Sequence, residues 1–241
     1  MKVMKRCGNK EDFSVEKIHK VVQWATKGIN GVSFSDIEMN ANLSLYDGIS
    51  SSEIHQILIK SANDLISTNS PNYQYVAARL LNMQLRKEVW GCGDQPTDFL
   101  LFLQRNEDNG IYDPAILKKW TEKEVDSLGR YINHGRDDLF TYAGLQQLID
   151  KYLVKNRSNG SIYETPQFAY MCIAMCLFDS VDEVKKAYDC YSTFKINLPT
   201  PIMAGVRTNI RQFASCVLVD VDDNLDAIFS SLHAVGKYTA R

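Results

Sequence analysis

The clearest candidate for chemistry in this sequence is a single thiol near its C-terminal end. Cys216 follows Ser215 within an apolar, β-branched run from Phe213 to Asp220. Such a run predicts a fully buried strand of the parallel type. Because free cysteine is among the most buried residue types, the residues alone favour a core role for Cys216 over a chemical one.

A possible phosphate site surrounds the proline-rich turn before this strand. Arg207, Arg211 and the hydroxyl of Thr200 flank the sequence from Leu198 to Met203. Guanidinium forks and hydroxyl groups both suit phosphate oxygens. The same side chains would serve equally well to cap loop backbone, so both interpretations stay open.

The sequence gives little support for a metal site, a reactive cysteine pair, a phosphate-binding glycine loop or a serine nucleophile motif. The six cysteines contain no CxxC spacing and the four histidines lie far apart, which argues against structural zinc. Cys172 and Cys176 lie one helical turn apart in an apolar run, a pattern typical of core packing. The segment from His134 to Asp138 predicts a solvated helix junction in preference to a metal site. Phosphate-binding glycine loops and the GxSxG nucleophile motif do not occur.

Composition excludes several classes of protein. The chain has 241 residues, a formal net charge of -2 and 45% hydrophobic residues. That charge does not build the positive field which duplex nucleic acid requires. Apolar runs fall short of the roughly 20 residues needed to cross a bilayer, and the polar N-terminus does not resemble a secretion signal. We therefore expect a cytoplasmic protein.

The elements that would position these residues are mainly α-helical. A short hairpin around Gly8 and Asn9 precedes four helices, and Ser50-x-x-Glu53 and Thr121-x-x-Glu124 are capping boxes at helix starts. The loop from Gly91 to Pro96 is the expected domain boundary. A single buried strand cannot satisfy its own backbone groups, so we expect other polypeptide to complete its sheet.

Two regions of the chain resemble one enzyme family. The segment from Phe194 to Thr208, followed by Arg211 to Leu218, resembles the start of the catalytic barrel in class I ribonucleotide reductase large subunits. The first ninety residues resemble the ATP-cone of that family, notably at Asp47-Gly48-Ile49 and from Tyr73 to Leu80. The resemblance extends over essentially the whole chain but covers only the first third or so of a family member.

The resemblance implies a fold in three parts. Residues 1–91 would form an ATP-cone, a small β-hairpin with a four-helix unit. Residues 92–197 would form a helical N-terminal domain. Residues 198–241 would supply the first strand and helix of an incomplete α/β barrel, with the specificity site and a dimer helix.

The resemblance also implies a radical reduction of ribonucleoside diphosphates to deoxyribonucleoside diphosphates. In the family, a thiyl radical removes the 3′ hydrogen, and two cysteines below the sugar become a disulfide as the 2′ hydroxyl leaves as water. Cys216 matches the first cysteine of that pair. Thr200 and Ser215 match positions that contact the substrate, Thr200 through its phosphates.

Two allosteric sites follow from the same resemblance. Asp223, Asn224 and Leu225 match the start of the specificity site, where a deoxynucleotide or ATP selects the base to be reduced. The helix after them resembles one that packs across a two-fold axis. The positions that match the ATP or dATP site of the cone are Lys5, Glu11, Lys17, Ser51, His55 and Lys87.

The implied partners complete the enzyme. They are the remainder of the large subunit from the same gene or a separate chain, a second large subunit, a metal-containing small subunit that generates the radical, and thioredoxin or glutaredoxin. Without the remainder of the barrel we expect no turnover by this chain alone. The alternative is a non-catalytic module that senses ATP and dATP; cone-containing repressors of that type carry a zinc ribbon, which the absence of CxxC disfavours.

Overall fold

The structure, a computed structural model, describes residues 1–5, 8–42, 44–91, 96–156, 158–210, 213–214 and 216–240. The described chain is mainly helical, and strands β1 (Lys2–Met4) and β2 (Lys10–Asp12) pair as an antiparallel hairpin, as predicted. The helices within the described residues are α1 (Val15–Thr26), α2 (Phe34–Asn42), α3 (Ser51–Asp64), α4 (Tyr73–Trp90), α5 (Phe99–Asp108), α6 (Ala115–Lys119), α7 (Glu122–Tyr131), α8 (Tyr142–Lys151), α9 (Pro166–Leu177), α10 (Val181–Ser192), α11 (Thr200–Gly205) and α12 (Leu225–Thr239).

Helices α1 to α4 enclose the first hydrophobic core. Val22 of α1, Ile37 of α2, Leu58 of α3 and Leu80 of α4 meet there with almost no solvent exposure. The predicted capping box at the start of α3 is confirmed, because the Glu53 amide donates to Ser50 Oγ at 3.1 Å and the Ser50 amide donates to Glu53 Oε2 at 2.9 Å. This box fixes where α3 begins.

The second core lies around α9, which is apolar on all sides and buried along most of its length. Helix α4 joins the two cores, since Leu80 belongs to the first and Leu85 and Val89 belong to the second. Cys172 is fully buried in α9, which confirms its predicted core role. The second predicted capping box, at Thr121 and Glu124, is also confirmed.

A buried polar cluster crosses the junction between these cores. Asp137, in the 3-10 helix His134–Leu139, accepts from Arg86 Nη2 at 2.7 Å and from Gln167 Nε2 at 2.9 Å. Asn82 of α4 contributes a longer contact at 3.3 Å. The prediction of a solvated junction is therefore wrong at Asp137, because partners from α4 and α9 replace water around its carboxylate.

The proline-rich turn becomes the start of a helix. Pro199 precedes α11 and Pro201 lies in its first turn, where a missing backbone N–H leaves no helical hydrogen bond unmade. The sequence excluded these prolines from a helix interior, and their place at a helix start agrees with that.

The predicted buried strand is not formed among the described residues 213–214 and 216–220. These residues carry no regular secondary structure, and Leu218 is 100% exposed. In the described part of the chain, β1 and β2 pair with each other and no strand lies beside this segment. Because a strand requires neighbours for its backbone groups, the segment stays irregular and exposed.

Helix α12 follows this segment and has no buried residue. Three of its apolar side chains, Leu225, Phe229 and Leu232, are more than half exposed. In the described part of the chain, no helix is both long and apolar enough to cross a membrane.

Candidate functional site

The six residues that match the effector site of the cone line one cavity of about 170 Å³. The β-hairpin supplies two of them, α1 one, α3 two and α4 one. They are Lys5, Glu11, Lys17, Ser51, His55 and Lys87. Residues up to 82 positions apart in sequence, 5 to 87, therefore share one concave surface.

A carboxylate organises the charged side of this cavity. Glu11 Oε1 accepts from Lys5 Nζ at 3.1 Å and from Lys17 Nζ at 3.0 Å. These hydrogen bonds, first from Lys17 and then from Lys5, lower the pKa of Glu11 below its usual value. Two ammonium groups are thus gathered at one edge, where they could meet the phosphates of a nucleotide as point charges.

Much of the remaining lining of the cavity is apolar. His55 is buried, and its Nε2 donates to the backbone oxygen of Leu80 at 2.7 Å, which fixes both its tautomer and its ring. The resemblance did not identify the apolar lining residues, although the helical periodicity of α1 and α3 places those of the two helices on inward faces. They are Val3, Phe13, Ile18, Val21, Ile54 and Leu58.

The second group of predicted residues lies around α11. Thr200, its first residue, is exposed, and its Oγ1 lies 3.4 Å from the hydroxyl of Tyr152. Both side chains line a cavity of about 390 Å³ together with Phe140, Asn197 and Met203. The sequence did not indicate a functional role for Tyr152, which is 48 residues from Thr200.

Arg207 does not face this cavity as a phosphate ligand. It is fully buried, and its Nε donates to Glu164 Oε2 at 2.8 Å. Its Nη1 and Nη2 donate to the backbone oxygens of Met203 and Tyr152 at 2.6 and 2.9 Å. Of the two interpretations that the sequence left open, the structure supports loop capping for Arg207.

The predicted catalytic thiol lies in the irregular segment after α11. Cys216 is exposed, which corrects its predicted place in a buried strand. Ser215 and Arg211, two further predicted residues, lie outside the described residues. Among the described residues, no group of three or more His, Cys, Asp or Glu side chains could hold a metal ion.

The comparisons with known proteins assign both regions of the chain. Residues 1–88 match the model described as ATP cone domain, and residues 138–211 match the one described as ribonucleotide reductase, all-alpha domain. The alpha subunit of ribonucleoside-diphosphate reductase from Haemophilus influenzae is 47% identical over 99% of this chain. Nearly the whole chain is therefore similar to the N-terminal region of ribonucleotide reductase large subunits.

Further relatives match over the same extent. The alpha subunit 1 of ribonucleoside-diphosphate reductase from Escherichia coli is 45% identical, and the alpha subunit from Enterobacteria phage T4 is 42% identical, each over 99% of this chain. The chain spans 32% of the length of these relatives and corresponds to their N-terminal region.

The residues that match the reductase specificity site lie at the start of α12. Asn224 is the N-cap of this helix, and its Oδ1 accepts from the Ala227 amide at 2.9 Å. Asp223 and Leu225 are exposed on either side of it. The helix start is therefore set by Asn224, while its two neighbours remain accessible to a ligand.

A partly buried histidine beside the junction predicts how the stability of this protein depends on pH. The ring of His134 lies edge-on to Trp90 and Phe168, at centroid distances of 5.3 and 5.2 Å. Burial, and then the charge of Arg86, lowers the pKa of His134 to about 4. Protonation of His134 is therefore disfavoured in the folded protein, whereas a histidine in the unfolded chain is protonated below pH ~6.5.

We expect this difference to destabilise the fold as the pH falls from about 6.5 towards 4. Between these values the unfolded state binds more protons, so His134 should reduce the free energy of unfolding by up to about 1.4 kcal/mol per pH unit. Urea unfolding of the wild type and of His134→Phe at several pH values measures this loss of stability. Carboxylates titrate in both proteins, so the difference between the two pH dependences comes from His134. Equal pH slopes for the two proteins would contradict the expectation.

Proposed function

We propose that this chain is the N-terminal part of the large subunit of a class I ribonucleotide reductase. That subunit reduces ribonucleoside diphosphates to deoxyribonucleoside diphosphates for DNA synthesis. We divide the chain into an ATP-cone (residues 1–91), a helical domain (92–197) and the start of the catalytic barrel (198–241). The observation that carries the proposal is the single cavity lined by all six side chains of the proposed effector site, in a chain similar to this family.

In the proposed reaction, Cys216 is one half of the reducing pair. Its thiol and a second cysteine elsewhere in the subunit supply two electrons and two protons as they become a disulfide, and the 2′ hydroxyl leaves as water. Thr200 binds the substrate phosphates, and Ser215 contacts the substrate beside the thiol. An exposed Cys216 in an irregular segment is compatible with a strand that becomes ordered only when neighbouring barrel strands pair with it.

Two kinds of effector act on the proposed enzyme. ATP or dATP binds the cone through Lys5, Glu11, Lys17 and Lys87, with Ser51 and His55 beside them. A deoxynucleoside triphosphate or ATP binds near Asp223, Asn224 and Leu225 and selects the base. The exposed apolar face of α12 packs against its counterpart in a second large subunit, because neighbouring apolar side chains that are exposed to water mark an interaction surface.

The remaining partners follow from the reaction. The remainder of the large subunit completes the barrel, a metal-containing small subunit generates the radical, and thioredoxin or glutaredoxin reduces the disulfide again. We place the enzyme in the cytoplasm, where thiol reductants keep such cysteines reduced.

Titration of the 241-residue chain with ATP tests the cone assignment. We expect Lys17→Met to weaken ATP binding about tenfold or more, since a charge-assisted hydrogen bond contributes about 1.5–3 kcal/mol. Isothermal titration calorimetry gives the dissociation constants.

Lys20→Met is the matched control, because Lys20 lies on the same helix α1, is exposed and does not line the cavity. Its affinity should stay within about twofold of the wild type, as expected for a surface charge. Equal losses for the two variants, or no binding of ATP by the wild type, would refute the cone assignment.

A further inference from the structure

Two hydroxyl groups from distant segments meet in the lining of the cavity beside α11. Tyr152, directly after α8, places its hydroxyl oxygen 3.4 Å from Oγ1 of Thr200. This separation is longer than an ordinary hydrogen bond between hydroxyl groups, which is about 2.7–2.8 Å. Neither hydroxyl is therefore fully committed to the other, and each can still donate its proton to a third atom.

The spacing of the two hydroxyls suits one shared acceptor. An oxygen about 2.7 Å from each of them is geometrically possible when the hydroxyls are 3.4 Å apart. Phosphate oxygens accept several hydrogen bonds at once, and hydroxyl donors are common ligands for them.

We propose that Tyr152 is a second binding residue for the diphosphate of the substrate, acting together with Thr200. This inference rests on the proposed function, in which Thr200 binds the substrate phosphates. Tyr152 donates its phenolic proton to a phosphate oxygen and remains neutral, and no covalent bond is made or broken at this residue.

The backbone of Tyr152 is held firmly enough for this role. Its carbonyl oxygen accepts from Nη2 of the fully buried Arg207 at 2.9 Å. The same guanidinium donates to Met203 in α11, the helix that begins with Thr200, at 2.6 Å. One side chain therefore ties together the two segments that carry the hydroxyls, and Glu164 holds that side chain in place.

The charge of Arg207 is not available to the ligand, because Glu164 pairs with it in the protein interior. Neutral hydroxyls, not this arginine, must then supply the contacts at this position. The resemblance alone does not assign this role to Tyr152. Because Arg207 is buried and paired, a hydroxyl group contacts the phosphate in place of the arginine that the sequence suggested.

The test is steady-state reduction of a ribonucleoside diphosphate by the complete large subunit with its radical-generating partner. We expect Tyr152→Phe to raise KM about tenfold and to leave kcat within about twofold, because one hydrogen bond to a charged group is lost from both ground and transition states. Thr200→Val should also raise KM. Tyr163→Phe is the matched control, since Tyr163 lines the adjacent cavity with Tyr152 and should leave KM unchanged.

The variants separate this inference from the function on which it rests. An unchanged KM for Tyr152→Phe, together with a raised KM for Thr200→Val, would overturn the role of Tyr152 and leave the proposed function intact. An unchanged KM in both variants would overturn both phosphate contacts. Absence of ribonucleotide reduction by the wild-type enzyme would overturn the proposed function itself. A urea-unfolding midpoint of Tyr152→Phe equal to that of the wild type would exclude a general loss of structure.

Discussion

Replacing Glu164 by leucine should lower the free energy of unfolding by about 3–5 kcal/mol. Both side chains of the pair formed by Glu164 and Arg207 have 0% exposure, so water cannot compensate for a missing partner. Burial by itself lowers the pKa of Arg207, but the charge of Glu164 and its hydrogen bonds more than offset this, and the pKa lies above its usual value. Arg207 therefore stays charged, and without Glu164 its charge would be buried alone.

The other partners of Glu164 add to the expected loss. Its Oε1 accepts from the amide of Val154 at 2.6 Å, and its Oε2 accepts from the hydroxyl of Tyr112. Removal of the carboxylate leaves these donors without an acceptor in the protein interior. A domain of this kind has a total stability of only about 5–15 kcal/mol, so the loss would be a large part of it.

Urea unfolding followed by tryptophan fluorescence measures this effect, since Trp120 lies in the same core. The informative control is the double variant Glu164→Leu with Arg207→Met, which replaces the whole pair by apolar side chains. Because the uncompensated charge is then absent, the double variant should be more stable than Glu164→Leu alone. A double variant less stable than the single one would show that the hydrogen bonds, not the charge, dominate.

A loss of similar size is expected for Asp137→Ala, about 3–5 kcal/mol. The side chain of Asp137 is 0% exposed, and burial raises the pKa of this carboxyl although Arg86, Gln167 and Asn82 each oppose the rise. Alanine would leave the buried amide of Gln167 without its acceptor. It would also remove the ion pair of Arg86, whose Nη2 would keep only the backbone oxygen of His134. Since Asn82 and Arg86 belong to α4 and Gln167 to α9, contact between the two cores should weaken as well.

Asp138→Ala is the matched control for this experiment. The neighbouring Asp138 is 49% exposed and lies 3.8 Å from Arg79, so its loss should cost less than about 1 kcal/mol. Chemical denaturation of the two variants gives the comparison, and a split of the Asp137→Ala transition into two steps would reveal separate unfolding of the cores. Equal stability of the two variants would contradict the role assigned to Asp137.

Much of the local structure of this protein could be predicted from short-range patterns. The capping boxes at Ser50 and Thr121 mark the starts of α3 and α7, because both partners of each box lie within three residues. The apolar run of α9 predicted its burial and that of Cys172. The candidate cone residues came from the resemblance, and the fold then brought all six to one cavity.

Short-range patterns failed where the outcome depends on partners elsewhere. The run from Phe213 to Asp220 has the composition of a buried strand, but a strand also requires neighbours, and none lies beside it in the described residues. Likewise, Asp137 lies in a polar segment typical of a surface, and its burial follows only from the approach of α4 and α9.

The sequence by itself determined the helical class, the positions of helix starts and the apolar faces, because these depend on residues within one or two turns of each other. Only the tertiary structure decided that Arg207 pairs with Glu164, 43 residues away, and that Tyr152 meets Thr200, 48 residues away. A charged or hydroxyl side chain carries no local signal of its distant partner. Its role is fixed when packing removes water and leaves one hydrogen-bonding arrangement available.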